Sequence, residues 1–343
     1  MRVLIVRTDR IGDVVLATPL IRALRKSFPE AHLAALVRPY SEPVLRGNPH
    51  LDQILLDDTE GRHAGSGGAW RLARDLASHR FTHALLLLPT KRLAYALFLA
   101  GIPRRIGVGR RLYQVLTGMS AVRRFYDPLR SEADYCLDLG RRIGATDDGL
   151  ATEVFLTDTE RRLGEEILSA GGIAPGEPIV GLHPGSGGSA PNWPPETWAR
   201  LASVLGDDPD VRIGLTGGES ERALLPAFEG LRYVDLVGRL DLRGTMAVIA
   251  ACDVFLSAST GTMHLAGALG VPTVSPFCPL PACHPDLWGP HGNVARNLLP
   301  PPGACGRDCP GDPKRCRFEG GPAVEEAVAA AREILRTLPP ASP

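Results

Sequence analysis

Short, continuous apolar runs recur along the whole chain, each followed by a helix-like stretch, and this limits the fold more than any other feature. In the first half Val3–Arg7, Leu33–Arg38, Gln53–Leu56, His83–Leu88 and Arg105–Val108 read as strands. Between them Asp13–Phe28, Ala69–His79, Lys91–Ala100 and Ser131–Ile143 carry helical spacing. A run that is apolar at every position belongs to a strand covered on both faces, which means a parallel sheet. The pattern restarts in the second half. Ile179–His183, Val211–Thr216, Val234–Val237, Val254–Leu256 and Thr273–Pro276 read as strands. Glu160–Ala170, Glu196–Leu205, Glu219–Phe228, Leu242–Ala250, Met263–Leu269 and Val324–Leu338 read as helices. The expectation is an α/β protein of two doubly wound domains, residues 1–170 and 171–343, with an inter-domain cleft. The breaker-rich stretch Gly171–Pro178 is the candidate linker.

Ligands of such sheets sit at the carboxyl ends of strands, where the order reverses. The motifs fall at such ends. After Asp253-Val254-Phe255-Leu256 comes Ser257-Ala258-Ser259-Thr260-Gly261-Thr262-Met263-His264, a strand feeding a tight turn and a helix start. Free backbone N–H groups and the helix dipole there suit a phosphate or diphosphate. His264 is placed to add a donor. The second half opens with His183-Pro184-Gly185-Ser186-Gly187-Gly188-Ser189, a strand ending in a Gly/Ser loop. Such a loop lets backbone amides approach phosphate oxygens, although no Gly-Lys-Ser/Thr follows as in a Walker loop. Thr216-Gly217-Gly218-Glu219-Ser220-Glu221 ends another strand. Its glycines leave room for a ring, and Glu219 or Glu221 could accept from ribose hydroxyls; taken alone, the stretch reads first as a plain helix start with favourable acids in its first turn.

In the first half Thr8-Asp9-Arg10-Ile11-Gly12-Asp13 ends the opening strand. Asp13, near a helix N-terminus, is suited to accept a proton from a hydroxyl. Arg7 and Arg10 flank it and could hold an anionic acceptor or be solvated. A basic group of Arg104, Arg105, Arg110, Arg111, Arg123 and Arg124 could do the same. It has no interleaved aromatics of the kind that stack on nucleic-acid bases. Asp208-Pro209-Asp210 matches a metal-binding Asp-x-Asp only formally and reads as a turn.

Charge divides the chain. Residues 1–150 hold 23 Lys and Arg against 15 Asp and Glu; residues 151–343 hold 15 against 23. An anionic partner for the first half, or attraction between two oppositely charged domains, accounts for that. No apolar run reaches the ~20 residues of a membrane span, and the start reads as a strand rather than a signal peptide. A cytoplasmic protein, at most peripheral to the inner face of a membrane, is expected. Of seven cysteines, Cys136, Cys252 and Cys278 lie in apolar surroundings. Cys305, Cys309 and Cys316 cluster in a loop, as reduced thiols, a local disulfide or a metal site completed by Cys283 or His291; the spacing fits no common zinc pattern.

Taken together, Arg7–Asp13, His183–Ser186 with Asn192-Trp193-Pro194, Gly217-Gly218 with Glu221, and Ser259–Leu265 resemble glycosyltransferase family 9, the ADP-heptose:lipopolysaccharide heptosyltransferases. The pieces run in the family's order over nearly the whole chain. The resemblance implies a GT-B fold of two Rossmann-like domains, the acceptor on the first and the nucleotide sugar on the second. It implies inverting transfer with no metal and no cofactor beyond the sugar nucleotide, which is ADP-linked. Asp13 matches the general base. His183, Gly185, Ser186, Gly217, Gly218, Glu221, Ser259, Thr260, Gly261, Thr262 and His264 match the donor site, and Arg7, Arg10, Arg104 and Arg105 are the candidates for an anionic glycolipid or glycoside acceptor. Nucleic acid is not an expected partner. Two positions depart: Ser259 stands where the family commonly has an acid, and Pro191 where it often has a Lys near the leaving phosphate. A different sugar or a small-molecule acceptor would fit those departures. A GT-B-like sugar-nucleotide epimerase and a non-catalytic sugar-nucleotide-binding subunit are the competing readings.

Overall fold

The computed structural model describes residues 1–109, 111–122, 130–305, 309–310 and 315–337. Arg110, Arg123 and Arg124 of the basic group, part of the cysteine loop, and Leu338 of the final helix lie outside the described residues. The chain forms two compact units, Met1–Phe155 and Leu156–Pro343.

The first unit runs β1 (Arg2–Val6), α1 (Ile11–Leu16), α2 (Thr18–Ser27), β2 (His32–Val37), α3 (Glu42–Leu45), β3 (Gln53–Leu56), α4 (Gly68–Ala77), β4 (His83–Leu86), α5 (Lys91–Leu99), β5 (Arg104–Val108), α6 (Leu112–Leu116), β6 (Ser120–Val122) and α7 (Glu132–Arg141). Its sheet has the order β3-β2-β1-β4-β5-β6 and every pair is parallel. Side chains of a strand alternate between faces, and here both faces are covered. Leu4, Val6, Ala84 and Leu86 pack with Leu72, Leu76, Leu93 and Leu97 of α4 and α5. Val3, Ile5, Leu33 and Leu85 pack with Leu20, Leu24, Leu137 and Leu139 of α2 and α7. That double burial is why the strands are apolar at consecutive positions.

The second unit runs α8 (Asp158–Ala170), β7 (Ile179–His183), α9 (Pro195–Gly206), β8 (Arg212–Leu215), a 3-10 segment (Glu219–Phe228), β9 (Val234–Asp235), α10 (Leu242–Ala250), β10 (Val254–Ser257), α11 (Gly261–Ala268), β11 (Thr273–Pro276), α12 (Pro285–Trp288), β12 (Ala295–Leu298) and α13 (Val324–Thr337). The sheet order β12-β11-β10-β7-β8-β9, again all parallel, repeats that of the first unit. In both sheets the order reverses beside the first strand, at β1/β4 and at β7/β10. Two Rossmann-like units of a GT-B fold are therefore present, as the resemblance implied.

Three expectations change. The helix expected over Asp13–Phe28 is broken at Ala17. Pro19 has no N–H to continue the ladder, and Thr18 Oγ1 donates instead to the Val15 carbonyl at 2.7 Å. The helix 158–170, expected with the first domain, belongs to the second unit. It packs on α10 so closely that a Cβ at Gly164 would stand 2.1 Å from the Ala247 carbonyl oxygen. Arg243 binds Glu160 with two nitrogens, at 2.7 and 2.6 Å, and Glu160 itself caps the helix through Thr157. Gly171–Pro178 is thus a connection inside that unit. The segment Glu219–Phe228, with Pro226 inside it, is 3-10 rather than α.

Candidate active site

In the first unit the carboxyl end of β1 places one arginine among three acids. Arg7 is buried, and its Nε lies 2.8 Å from Asp9, one terminal nitrogen 2.5 Å from Asp13 and the other 3.1 Å from Glu132. Burial opposes the Arg7 charge, but its negative neighbours outweigh that and hold the guanidinium above its ordinary value. Burial pushes the Asp9 carboxyl up to about 6; Arg7 pulls the other way, and Asp13 and Glu132 add to the rise. Asp13 sits in the first turn of α1, so two features orient it: the helix N-terminus and the fork of Arg7.

This corrects the role of Arg7. Its guanidinium lies beneath the surface with its three nitrogens facing Asp9, Asp13 and Glu132, rather than turned outward toward an anion as Arg10 is. Arg10 is exposed at the N-cap of α1 and stays available to an anion. Arg104 and Arg105 are also corrected. They begin β5, where Arg104 is level with His83 and His83 with Val3, at the amino edge of the sheet and opposite Asp13. Arg105 donates to the Ile102 and Thr117 carbonyls and lies 5.3 Å over the Phe98 ring. Its nitrogens secure the loops at that edge. Glu132 gave no local signal in the sequence, being 125 positions from Arg7.

In the second unit three loops meet at the carboxyl edge. Ser189 Oγ lies 2.7 Å from the Ser186 carbonyl oxygen and 3.0 Å from that of Ser259, its one proton shared between them, which ties the Gly/Ser loop after β7 to the turn after β10. His183 ends β7, level with Ser257. Its Nδ1 is 3.1 Å from Thr216 Oγ1, and its Nε2 is 3.5 Å from Glu221. Burial pushes the His183 imidazole below its ordinary value, and Glu221 offsets that only in part. Burial thus favours the uncharged imidazole at His183. Glu221 Oε2 accepts from the Gly218 N–H at 2.7 Å. A Cβ on Gly185 would overlap Glu221 Oε1, at 1.3 Å, so only glycine permits this contact between the loops of β7 and β8.

Thr260 is the N-cap of α11, with extended backbone, and its hydroxyl pairs with that of Thr262 at 2.9 Å. Neither side chain caps the helix, which leaves its first N–H groups facing outward with Gly261 and Thr262 partly exposed. His264 lies buried one turn further on. Backbone N–H groups and hydroxyls, without a carboxylate, form a donor set for an anion. Pro191 is buried; Asn192 beside it binds the Pro184 carbonyl at 2.6 Å and receives Trp198 Nε1 at 3.1 Å. The motif around Trp193 therefore braces the Gly/Ser loop.

Other motifs sort out simply. Asp208–Asp210 is a turn before β8, at the amino edge, closed by Asp210 N–H on Asp208 at 3.1 Å. All seven cysteines are free thiols, and among the described residues no group of three or more His, Cys, Asp or Glu is arranged to hold a metal ion. Among the described residues no helix is long and apolar enough to cross a membrane.

Comparison with known proteins agrees with this geometry. Residues 69–304 match the family model described as glycosyltransferase family 9 (heptosyltransferase). Lipopolysaccharide heptosyltransferase 2 of Escherichia coli is 25% identical over 307 residues, covering 86% of this chain and 87% of its own. Among solved structures, a family 9 glycosyl transferase from Veillonella parvula superposes with a TM-score of 0.83 at 22% identity, covering 98% of this chain and 97% of that one. The E. coli ADP-heptose LPS heptosyltransferase II does so with a TM-score of 0.75 at 20% identity, covering 98% and 99%. The chain belongs to glycosyltransferase family 9 and is a glycosyltransferase.

Proposed function

We propose that this protein is an inverting transferase that moves heptose from ADP-heptose to a hydroxyl of a lipopolysaccharide-core or related glycan acceptor. The observation that carries the reading is the joining of the Gly185–Ser189 loop to the α11 start through Ser189 and Ser259. It builds one pocket rim of backbone N–H groups and hydroxyls at the strand-order reversal of the second sheet, where a diphosphate fits. The names of similar proteins, one of them an ADP-heptose LPS heptosyltransferase, supply the donor and acceptor class.

In this reading Asp13, held by Arg7 and the start of α1, accepts the proton of the acceptor hydroxyl. The oxygen attacks the anomeric carbon from the face opposite the diphosphate, which leaves as ADP, so the configuration inverts. The α11 N-terminus with Ser259, Thr260, Gly261, Thr262 and His264 meets the charge that grows on the leaving group. Glu221, with Gly217 and Gly218, reads the ribose through the oxygen that Gly218 leaves open, and His183, Gly185 and Ser186 line the same rim. Arg10 holds an anionic group of the acceptor.

Calorimetric titration with ADP, UDP and GDP, each without added metal, tests the donor. Preference for ADP is the expected result. Preference for UDP or GDP keeps the transferase and discards heptose, and binding of none of the three removes the donor site from this edge. His264→Ala is expected to weaken ADP binding more than adenosine binding; equal effects on both contradict a diphosphate contact.

A further inference from the structure

Cys278, Cys283, Cys305, Cys309 and Cys316 gather in the second unit, in the segments that follow β11 and β12 at the carboxyl edge of the sheet. Cys278 lies just beyond β11, and Cys283 ends the 3-10 turn Pro281–Cys283. The Cys283 N–H closes that turn on the Leu280 carbonyl at 2.8 Å. The chain thereby folds back on itself, and both side chains are buried in one apolar core, with Cys316 packed against it. The Cys278 S–H donates to Cys283. That bond pulls the Cys283 thiol below its ordinary value, while the bond and burial together push Cys278 above its own.

The other three thiols connect this buried pair to the outside. Cys305, Cys309 and Cys316 are half-buried and line a surface hollow of about 400 Å³. Cys305 has Cys278, Cys309 and Cys316 as electrostatic neighbours, and Cys283 has Cys316. Arg315 and Arg317 flank Cys316 in the lining, which also holds Glu319. The Cys316 sulfur accepts the Phe318 N–H at 3.3 Å. Cations and a backbone donor favour a thiolate, which is the attacking form. The transfer chemistry proposed above uses none of these thiols, so they stand as a separate feature of the fold.

We propose that Cys316, Cys283 and Cys278 form a thiol–disulfide exchange site that takes up a low-molecular-weight disulfide at the hollow and stores the oxidation as a buried Cys278–Cys283 disulfide. The Cys316 thiolate attacks one sulfur of the external disulfide, whose S–S bond breaks, and the first external thiol leaves with the proton that Cys316 gave up. Cys283 then attacks the Cys316 sulfur of the mixed disulfide. The second external thiol leaves with the Cys283 proton, and a Cys283–Cys316 bond remains. Cys278 attacks Cys283, its proton passes to Cys316, and the Cys316 thiol is restored. One external disulfide is reduced to two thiols while Cys278 and Cys283 are oxidised. The inference is independent of which sugar or acceptor the enzyme uses.

Exposure of the folded, reduced full-length protein to oxidised glutathione tests it, with free thiols alkylated at timed intervals and disulfides located by peptide mass mapping. The wild type is expected to yield a Cys278–Cys283 disulfide that dithiothreitol reverses. Cys316→Ser is expected to slow its formation at least ~10-fold, since a buried thiol depends on an accessible one for exchange. Cys278→Ser is expected to stop at the Cys283–Cys316 bond. Circular dichroism and melting temperature check that each variant is folded, and the wild-type map decides without any variant. Absence of a Cys278–Cys283 bond in the folded wild type overturns the proposal, as does a bond confined to Cys305 and Cys309. An unchanged rate in Cys316→Ser removes the relay. A wild type that purifies with zinc on these thiols, and resists oxidation until the zinc is stripped, also overturns it, in favour of a metal site.

Discussion

One buried arginine organises the chemistry of the first unit. Arg7 carries a fork of donors that a lysine cannot reproduce, and each arm holds a different carboxylate. Arg7→Lys is expected to lower the transfer rate at least ~10-fold with the KM for the donor unchanged, because it loosens Asp13 without touching the second unit. Steady-state kinetics of the folded variant check this, and a change in donor KM alone contradicts it. Removing the charge altogether, as in Arg7→Met, leaves three acids together and is expected to cost about 3–5 kcal/mol in denaturant titration. Asp9 gives a pH signature. Its pKa is raised to about 6 in the fold, so its contribution to stability is present at low pH and is lost as pH rises through 6. Asp9→Asn has no charge to lose. Its stability relative to wild type is expected to improve between about pH 5 and pH 8, on the order of 1–2 kcal/mol; a gap that narrows with pH contradicts the assigned environment.

At the scale of elements, close approaches at single glycines hold loops and helices in register. Gly185→Ala must push Glu221 away from the Gly218 N–H. It is expected to weaken nucleotide binding at least ~10-fold, about 1.4 kcal/mol, with little loss of melting temperature. Gly164→Ala meets backbone instead of a movable side chain, so it is expected to destabilise the protein by about 2–4 kcal/mol in denaturant titration. Strands with apolar runs were readable because burial on both faces leaves an unbroken mark in the sequence. β6 and β12 were not: Ser120–Val122 is three residues long, and Ala295-Arg296-Asn297-Leu298 is half polar, as edge strands are. The sequence does not show that the 158–170 helix belongs with the second unit, because its partners, Ala247 and Arg243, are about eighty positions away and only tertiary packing reveals them. The glycine and threonine turns were legible because they follow strands locally. The Arg7–Glu132 pair and the amino-edge position of Arg104 and Arg105 were not, since nothing local encodes them.

For the whole molecule, two sheets of one strand order carry two different candidate half-sites, each at the reversal point of its own sheet. The first unit holds an oriented carboxylate, Asp13, and the second the rim around Ser259 and Thr260 that we propose binds the diphosphate. We infer that the two units divide the labour in this way, and Asp13→Asn separates their parts when measured twice: ADP affinity by calorimetry, and ADP release from ADP-heptose in the presence of heptose-deficient lipopolysaccharide. Affinity within about twofold of wild type is expected, with turnover lowered at least ~100-fold, the scale of losing a general base. Wild-type turnover in that variant, or loss of ADP affinity together with turnover, would contradict it.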